Sequence, residues 1–482
     1  MSTTARLRHF IGGEWQSSES DAWIPDVNPS DADDILGEVP AGTVDDVRRA
    51  VAAAEEAFPA WRGMSGPARA DALYKWGDAI ASRAEDLAQI VAREVGKPIG
   101  EARGEVGRCV TILRYYAGEA VRSTGDVIPA QTAGSLQFTL RQPLGVVALV
   151  TPWNFPIAIP LWKAAPALAF GNTVVLKPAE ASSQSAAFLA ECAAAAGLPR
   201  GAFNVLLGSG EVVGAALIAA DGVRAVSFTG SGRVGNRIAV AAAHRNIRYQ
   251  TEMGGKNVVI VMPDADIKQA ATLTAAGAMR YAGQKCTATS RVVVAREIEG
   301  AFLEELKSHV AALPLGPVAD PKAAVGPLIS ETSRTSIRRV LDEMDAECIY
   351  VGSVPSSSEF ARGFFMPPTI VRNAAADSAL AQHELFGPVL ASFAADDLDH
   401  AISLANDTPY GLSASLFTRD IRAALKYIDR IEAGMVRVNG DTTGVDPHAP
   451  FGGMKGSSSG SREQGPAARE FYTEIKTVQI NA

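Results

Sequence analysis

From Thr173 onward the chain alternates short apolar β-type runs with helical ones, joined by short connections. Thr173 to Leu176 reads as a strand, Ser182 to Ala196 as a helix ending at Gly197, and Phe203 to Leu207 as the next strand. A helix over Glu211 to Ala220, a strand over Ala225 to Thr229 and a helix over Val234 to His244 complete the series. Consecutive parallel strands need a helical crossover, and such crossovers are almost always right-handed. The pattern therefore predicts an α/β fold with a Rossmann-type parallel sheet, which binds ligands at the carboxyl ends of its strands.

The rhythm restarts after Glu252 with a strand over Val258 to Val261, a helix over Ile267 to Tyr281 and a strand over Arg291 to Ala295, so a second α/β domain is expected there. Upstream, Val44 to Phe58 reads as a surface helix stopped by Pro59, and Ala68 to Val95 as another. A chain of 482 residues exceeds what one hydrophobic core serves, which suits two or three domains. The Ser- and Gly-rich run Gly452 to Gly465 reads as an ordered loop, not a linker.

The net charge of −8 comes from charges mixed along the chain, which argues against a nucleic-acid partner. Cys109, Cys192, Cys286 and Cys348 show neither CxxC spacing nor a pairing pattern, so neither a disulfide framework nor a metal site is expected. The first ten residues lack an apolar signal region and no run is long enough to span a membrane, so a cytoplasmic location is expected.

Gly230-Ser231-Gly232-Arg233-Val234-Gly235 is a G-x-G-x-x-G between a predicted strand and a predicted helix, the setting in which backbone N–H groups hold a pyrophosphate. That fingerprint expects an acidic residue ~20 positions on to grip a ribose. Glu252 stands 22 residues after Gly230; Glu180, close behind Lys177 at the end of an earlier strand, is a rival. Spacing alone does not choose between them.

Cys286 lies in Gly283-Gln-Lys-Cys286, downstream of Glu252-Met-Gly-Gly-Lys256 and of Pro152-Trp-Asn154-Phe-Pro156. A thiol, a carboxylate and a carboxamide supply a nucleophile, a base and an oxyanion donor, which suits attack on a carbonyl followed by hydrolysis of the adduct. With Phe228-Thr-Gly-Ser231, Glu384-Leu-Phe-Gly-Pro388 and Pro450-Phe-Gly-Gly-Met-Lys455, these motifs make the chain resemble the NAD(P)-dependent aldehyde dehydrogenases, from about Phe10-Ile-Gly-Gly-Glu-Trp15 to Lys476-Thr477.

The resemblance implies roles residue by residue. Cys286 would be the nucleophile, Glu252 the base that activates the hydrolytic water, and Asn154 an oxyanion donor aided by the Cys286 N–H; Lys163 and Glu463 would relay protons or position the base. Lys177 and Glu180 would hold the adenine-side ribose, Ser231 and its helix the pyrophosphate, and Glu384 with Phe386 the nicotinamide ribose. Thr151, Pro152, Trp153, Gly210, Phe228, Gly230, Val234 and Met253 complete the implied cofactor contacts. NAD is favoured, because a Glu at position 180 would repel a 2′-phosphate, while NADP stays open. Physically, the Cys286 thiol should need a nearby helix N-terminus, cation or base to raise its thiolate fraction.

The implied architecture has three parts: a cofactor domain (1–122 and 143–252), a catalytic domain (253–465) and a β flap for oligomerisation (123–142 and 466–482). The strand-like tail Phe471 to Ile480 would be a bare edge in a monomer, so a homodimer or homotetramer is expected. The segments Asn439 to Pro450 and Gly456 to Gly465 are similar to those of bacterial α-ketoglutaric semialdehyde dehydrogenases, and an acidic semialdehyde would call for a cation at the pocket, which the sequence does not place. Two other functions compete. A coenzyme A-acylating dehydrogenase generally lacks the carboxylate at position 252; a cysteine esterase usually needs a His base, and none of the six histidines sits in such a motif.

Overall fold

The computed structural model describes residues 5–122 and 125–481; Ser123, Thr124 and Ala482 of the expected flap lie outside the described residues. An eight-stranded sheet is built around the predicted alternation. Its five parallel strands lie in the order Phe203–Val205, Thr173–Lys177, Val146–Val150, Val223–Thr229, Arg248–Glu252. The first three run one way across the sheet from Val146–Val150, and the last two run the other way. The order thus reverses beside Val146–Val150, and a crevice opens where the Thr151-Pro152-Trp153-Asn154 turn leaves one strand and Gly230-Ser231 leaves its neighbour.

These strands are buried on both faces, so their side chains divide between two cores at period two. Val147, Leu149, Val174 and Leu176 belong to one core with the helices Ile99–Glu119 and Ala158–Ala169. Val146, Ala148, Val175, Val226 and Phe228 join the opposite core with Val47, Val51 and Ile238.

The second sheet has seven strands in the order Glu347–Val351, Thr369–Arg372, Val389–Ala395, Thr289–Ala295, Asn257–Val261, Ser413–Phe417, Met435–Val438. Only the Glu347–Val351 edge is antiparallel. A three-stranded sheet pairs Thr473–Ile480 with Leu136–Pro143, which pairs in turn with Val127–Ile128.

Several elements differ from expectation. The helix Val44–Gly63 runs through Pro59, because its last turn is anchored by the buried Trp61, whose indole donates to the Leu168 carbonyl at 3.1 Å. The region 68–95 is two helices, Gly66–Ser82 and Ala84–Val95, divided at Arg83 (φ −121°, ψ 27°), so that both halves pack on Ile99–Glu119. The predicted helix at 211–220 opens as a wide turn over Gly210–Gly214 and is α-helical only over Ala215–Ala219. The helix Ile267–Met279 ends before Tyr281, and the tail begins with a helix, Gly465–Tyr472, before its strand. Within the expected loop, Ser458–Gly460 is a strand that pairs antiparallel with Arg248–Glu252, in the first sheet.

Candidate active site

Three consecutive residues with left-handed backbone, Tyr281 (φ 55°), Ala282 (φ 52°) and Gly283 (φ 66°), carry the chain from the helix Ile267–Met279 into the Cys286 loop. Such a run is costly for non-glycine residues, so the surroundings must hold it. Tyr281 is wholly buried and donates its hydroxyl to Val95 O at 3.2 Å. A side chain at Gly283 would collide with the Gly387 carbonyl. Beyond it Gln284 is clamped, accepting from Ile329 N at 2.9 Å and donating to Pro327 O at 3.0 Å. The Asn257 amide then takes the carbonyls of Cys286 (2.7 Å) and Ala288 (2.8 Å).

Asn154 reaches this loop from the first sheet: its Nδ2 donates to Gln284 O at 3.0 Å. The carboxamide and the thiol are thus set against each other across the two sheets, and the second N–H of Asn154 remains for a ligand oxygen. The turn after Asn154 is fixed by Glu105, whose carboxylate accepts from Ile157 N (3.1 Å) and Ala158 N (2.9 Å) at a helix start with no local cap. Lys97 is ion-paired to Glu105 and lies over the rings of Phe155 and Tyr281, 4.0 and 4.7 Å from their centroids.

Burial pushes the Cys286 thiol well above the usual range, and the Glu384 and Glu252 carboxylates push the same way, outweighing the N–H groups of Thr287 and Cys286. Of the helix N-terminus, cation or base that the sequence left open, carboxylates are what act on the sulfur: Lys285, its neighbour in sequence, is paired to Glu101 at 2.8 Å. These influences favour the protonated thiol, so the proton must be passed on as the sulfur reacts.

Glu252 ends its strand 1% exposed. One oxygen accepts from Ser458 Oγ at 2.5 Å, and the other has no hydrogen-bond partner. Its carboxyl is held well above the usual range by burial first and by the Glu463 charge second, against Ser458, Lys163 and Arg462. Glu463 is ion-paired to the wholly buried Lys163 and also accepts from Trp162 Nε1 (2.8 Å) and Ser227 Oγ (3.1 Å). Lys163 donates to Ser227 as well, at 2.8 Å. The naive fingerprint, which gave Glu252 to a ribose, does not fit this buried setting.

The other candidates surround the crevice. Lys177 Nζ lies 3.3 Å from Glu180 Oε1, which also accepts from Gly210 N at 2.6 Å. Burial of Lys177 lowers its proton affinity. Ser231 is the N-cap of Gly232–His244 without a side-chain cap bond; Val234 N donates to Ser231 O at 3.1 Å, which leaves the N–H groups of Gly232 and Arg233 at the helix start open to an anion. Gly230 N donates to Glu252 O at 3.0 Å, and Phe228 and Met253 belong to the core beneath. Thr151 has a buried hydroxyl with no partner. Past Pro152, Trp153 meets Phe386 edge-on at 5.6 Å, and Phe386 has φ 57°. Glu384 accepts from Gly255 N at 3.1 Å and lies so close to Gly254 that no side chain fits there; burial raises its carboxyl to about 7. A helix start with free N–H groups, a Lys–Glu pair poised for a diol and an orphaned hydroxyl are a donor and acceptor set that fits a dinucleotide.

Beside Cys286 is a cavity of about 200 Å³ lined by Phe155, Trp162, Thr287, Val445 and Phe451, with Glu101, Arg108 and Lys285. Sequence reasoning missed Ser458, Ser227, Gln284, Glu105 and Arg108. The first four act through side-chain bonds to remote backbone or carboxylates, for which a single sequence carries no signal.

A sheet switch point with an open helix start, next to a half-buried cysteine and a buried glutamate and asparagine, has the make-up of a nucleotide-dependent enzyme. The chain belongs to the aldehyde dehydrogenase family, whose sequence model matches residues 15–478. It is an oxidoreductase that converts aldehydes to acids, and the family uses NAD(P)+. It is similar to the α-ketoglutaric semialdehyde dehydrogenase of Bacillus subtilis (46% identity, covering 98% of this chain and 97% of the relative). It also resembles the 2,5-dioxopentanoate dehydrogenase of Saccharolobus solfataricus (37%; 97% and 98%). Among solved structures, betaine aldehyde dehydrogenase of Staphylococcus aureus in complex with NAD+ matches with a TM-score of 0.95 at 32% identity, over 98% of this chain and 94% of that one.

Proposed function

We propose that this enzyme oxidises α-ketoglutaric semialdehyde, or a short acidic semialdehyde like it, with Cys286 as nucleophile and Glu252 as base. The observation that supports this reading is a partnerless, buried Glu252 oxygen whose charge is felt by the Cys286 thiol, with Asn154 bonded to the Gln284 carbonyl of the loop that carries that thiol. In the first step the Cys286 thiol passes its proton to water in the crevice and Sγ bonds to the aldehyde carbon, so that the carbonyl oxygen becomes an oxyanion. The free Asn154 N–H and the Cys286 N–H stabilise that oxyanion, each worth ~3 kcal/mol by comparison with other oxyanion holes. NAD(P)+, held by the crevice residues, would supply the hydride acceptor, and loss of hydride from the adduct carbon leaves a thioester on Cys286.

Glu252 then takes a proton from water, which attacks the thioester carbonyl and releases the acid and the Cys286 thiol. Its raised proton affinity makes it a stronger base than an ordinary carboxylate. Lys163 holds Glu463 in place, and the Glu463 charge keeps Glu252 basic. Thr151, Pro152, Trp153, Lys177, Glu180, Gly210, Phe228, Gly230, Ser231, Val234, Met253, Glu384 and Phe386 would form the dinucleotide site. Glu180, held by Lys177 and the Gly210 N–H, favours NAD over a 2′-phosphorylated cofactor.

We assign residues 1–122 and 143–252 to the cofactor domain and 253–465 to the catalytic domain, with Ser458–Gly460 reaching back to the first sheet. We assign residues 123–142 and 466–482 to the flap, whose described strands are Val127–Ile128, Leu136–Pro143 and Thr473–Ile480. Thr473–Ile480 is an edge strand with Ile475 and Ile480 exposed, which supports a homodimer or homotetramer. Light scattering should give two or four times the chain mass; a monomer would refute this. A chemistry that needs Cys286 free suits the reducing cytoplasm.

Incubation with NAD+ or NADP+ and a panel of semialdehydes and neutral aldehydes tests the reading. Reduced cofactor and free acid should accumulate fastest with NAD+ and an acidic semialdehyde. An acyl product formed only with coenzyme A, or ester hydrolysis without cofactor, would overturn it.

A further inference from the structure

Resting on the semialdehyde reading, the geometry points to Arg108 as the residue that binds the substrate's remote carboxylate and so sets the preference for acidic aldehydes. Arg108 lies on the helix Ile99–Glu119, half-buried in the wall of the cavity that holds Cys286. It spends one N–H on Val445 O at 2.7 Å, on the facing wall. Among the described residues no carboxylate lies within ion-pair distance of it, so the rest of its five-donor fork is unsatisfied by protein acids. A half-buried cation without a counter-ion, in the cavity of the nucleophile, calls for an anionic ligand.

The neighbouring acids do not fill that role. Glu101 is taken by Lys285 at 2.8 Å, and Glu105 by Lys97 and two backbone N–H groups. The outer cleft of about 440 Å³ shares Glu101, Arg108 and Phe155 with the inner cavity, so Arg108 stands where the two meet. The exposed Arg280 and Lys322 line that outer cleft, and they too lack an acidic partner among the described residues. In a chain of net charge −8, this is a local excess of positive charge leading toward the thiol, which draws anions inward.

Size points the same way. The inner cavity of about 200 Å³ is below the ~300–1,000 Å³ of sites for drug-sized ligands, and holds roughly six waters at ~30 Å³ each. It has room for an aldehyde of a few carbons, with the apolar middle against Phe155, Trp162 and Phe451 and the carboxylate on the guanidinium. A bulky aromatic aldehyde would not use Arg108.

The test compares 5-oxopentanoate with pentanal, which match in chain length and differ in the remote carboxylate, in the wild-type enzyme, R108Q and R108K. The ratio of kcat/KM for the acid over the neutral aldehyde should fall roughly 10- to 100-fold in R108Q, carried by KM, and by less in R108K, which keeps the charge but not the fork. Dinucleotide binding reports that each variant is folded; if R108Q does not fold, R108K decides. A wild type that shows no preference for the acid overturns the semialdehyde reading itself. A preference that survives unchanged in a folded variant overturns the assignment of Arg108 alone.

Discussion

Replacing Cys286 with alanine should abolish aldehyde oxidation, by roughly 10⁴-fold or more, while NAD+ still binds. The sulfur is the only protein group in the proposed reaction that bonds to substrate carbon, so no side chain remains to hold the carbonyl for hydride loss. The dinucleotide contacts lie on other elements: the Lys177–Glu180 pair, the start of Gly232–His244 and the Glu384 loop. Cofactor titration by fluorescence quenching and a turnover assay read the two effects separately. Residual oxidation within tenfold of wild type would show that a different group is the nucleophile.

The second large effect is expected at Glu252. E252Q keeps the shape and an acceptor for Ser458 but removes the base, so steady-state turnover should drop by ~10²- to 10⁴-fold. Acylation does not need the water-activating role, so a rapid burst of about one reduced cofactor per subunit should survive and then stall. Absence of both burst and turnover would mean Glu252 acts before the thioester. The raised proton affinity of Glu252 also fixes the direction of its pH effects. Deacylation in the wild type should climb as pH rises through the elevated pKa, and that limb should vanish in E252Q.

Stability runs the opposite way. A carboxyl whose folded pKa lies above its unfolded one contributes fully below the unfolded value, ~4.3. That contribution is lost as pH rises through the folded pKa. E252Q should therefore melt at a higher temperature than wild type at neutral and alkaline pH, with the gap closing in acid. Equal melting temperatures across that range would contradict the burial of a charge at this position.

Much of this was legible because it is local. The alternation of strands and helices between Thr173 and His244 follows from runs of apolar residues and the glycines that end them, and the strands fall where those runs lie. Cys286, Glu252 and Asn154 stood out through short motifs whose chemistry is complementary. What stayed hidden depends on residues far apart in the chain. Pro59 is tolerated within a helix only because Trp61 finds Leu168. Ser458 became a partner of Glu252 only once its strand joined the first sheet. The sequence left open whether a helix N-terminus, a cation or a base would stand near the thiol; the charges that act on it are Glu384 and Glu252, brought there by separate segments.

The pairing of Ser458–Gly460 with Arg248–Glu252 has a bearing on how the enzyme comes into being. The hydroxyl that touches Glu252 lies 206 residues further along the chain, and the carboxylate that keeps it basic, Glu463, follows shortly after, so both are synthesised long after the base itself. A nascent or prematurely terminated polypeptide could already own the thiol and the dinucleotide crevice, yet would lack the parts that tune its hydrolytic base. Competence is thereby deferred until that segment is made, and products truncated before it should be poor at releasing acid.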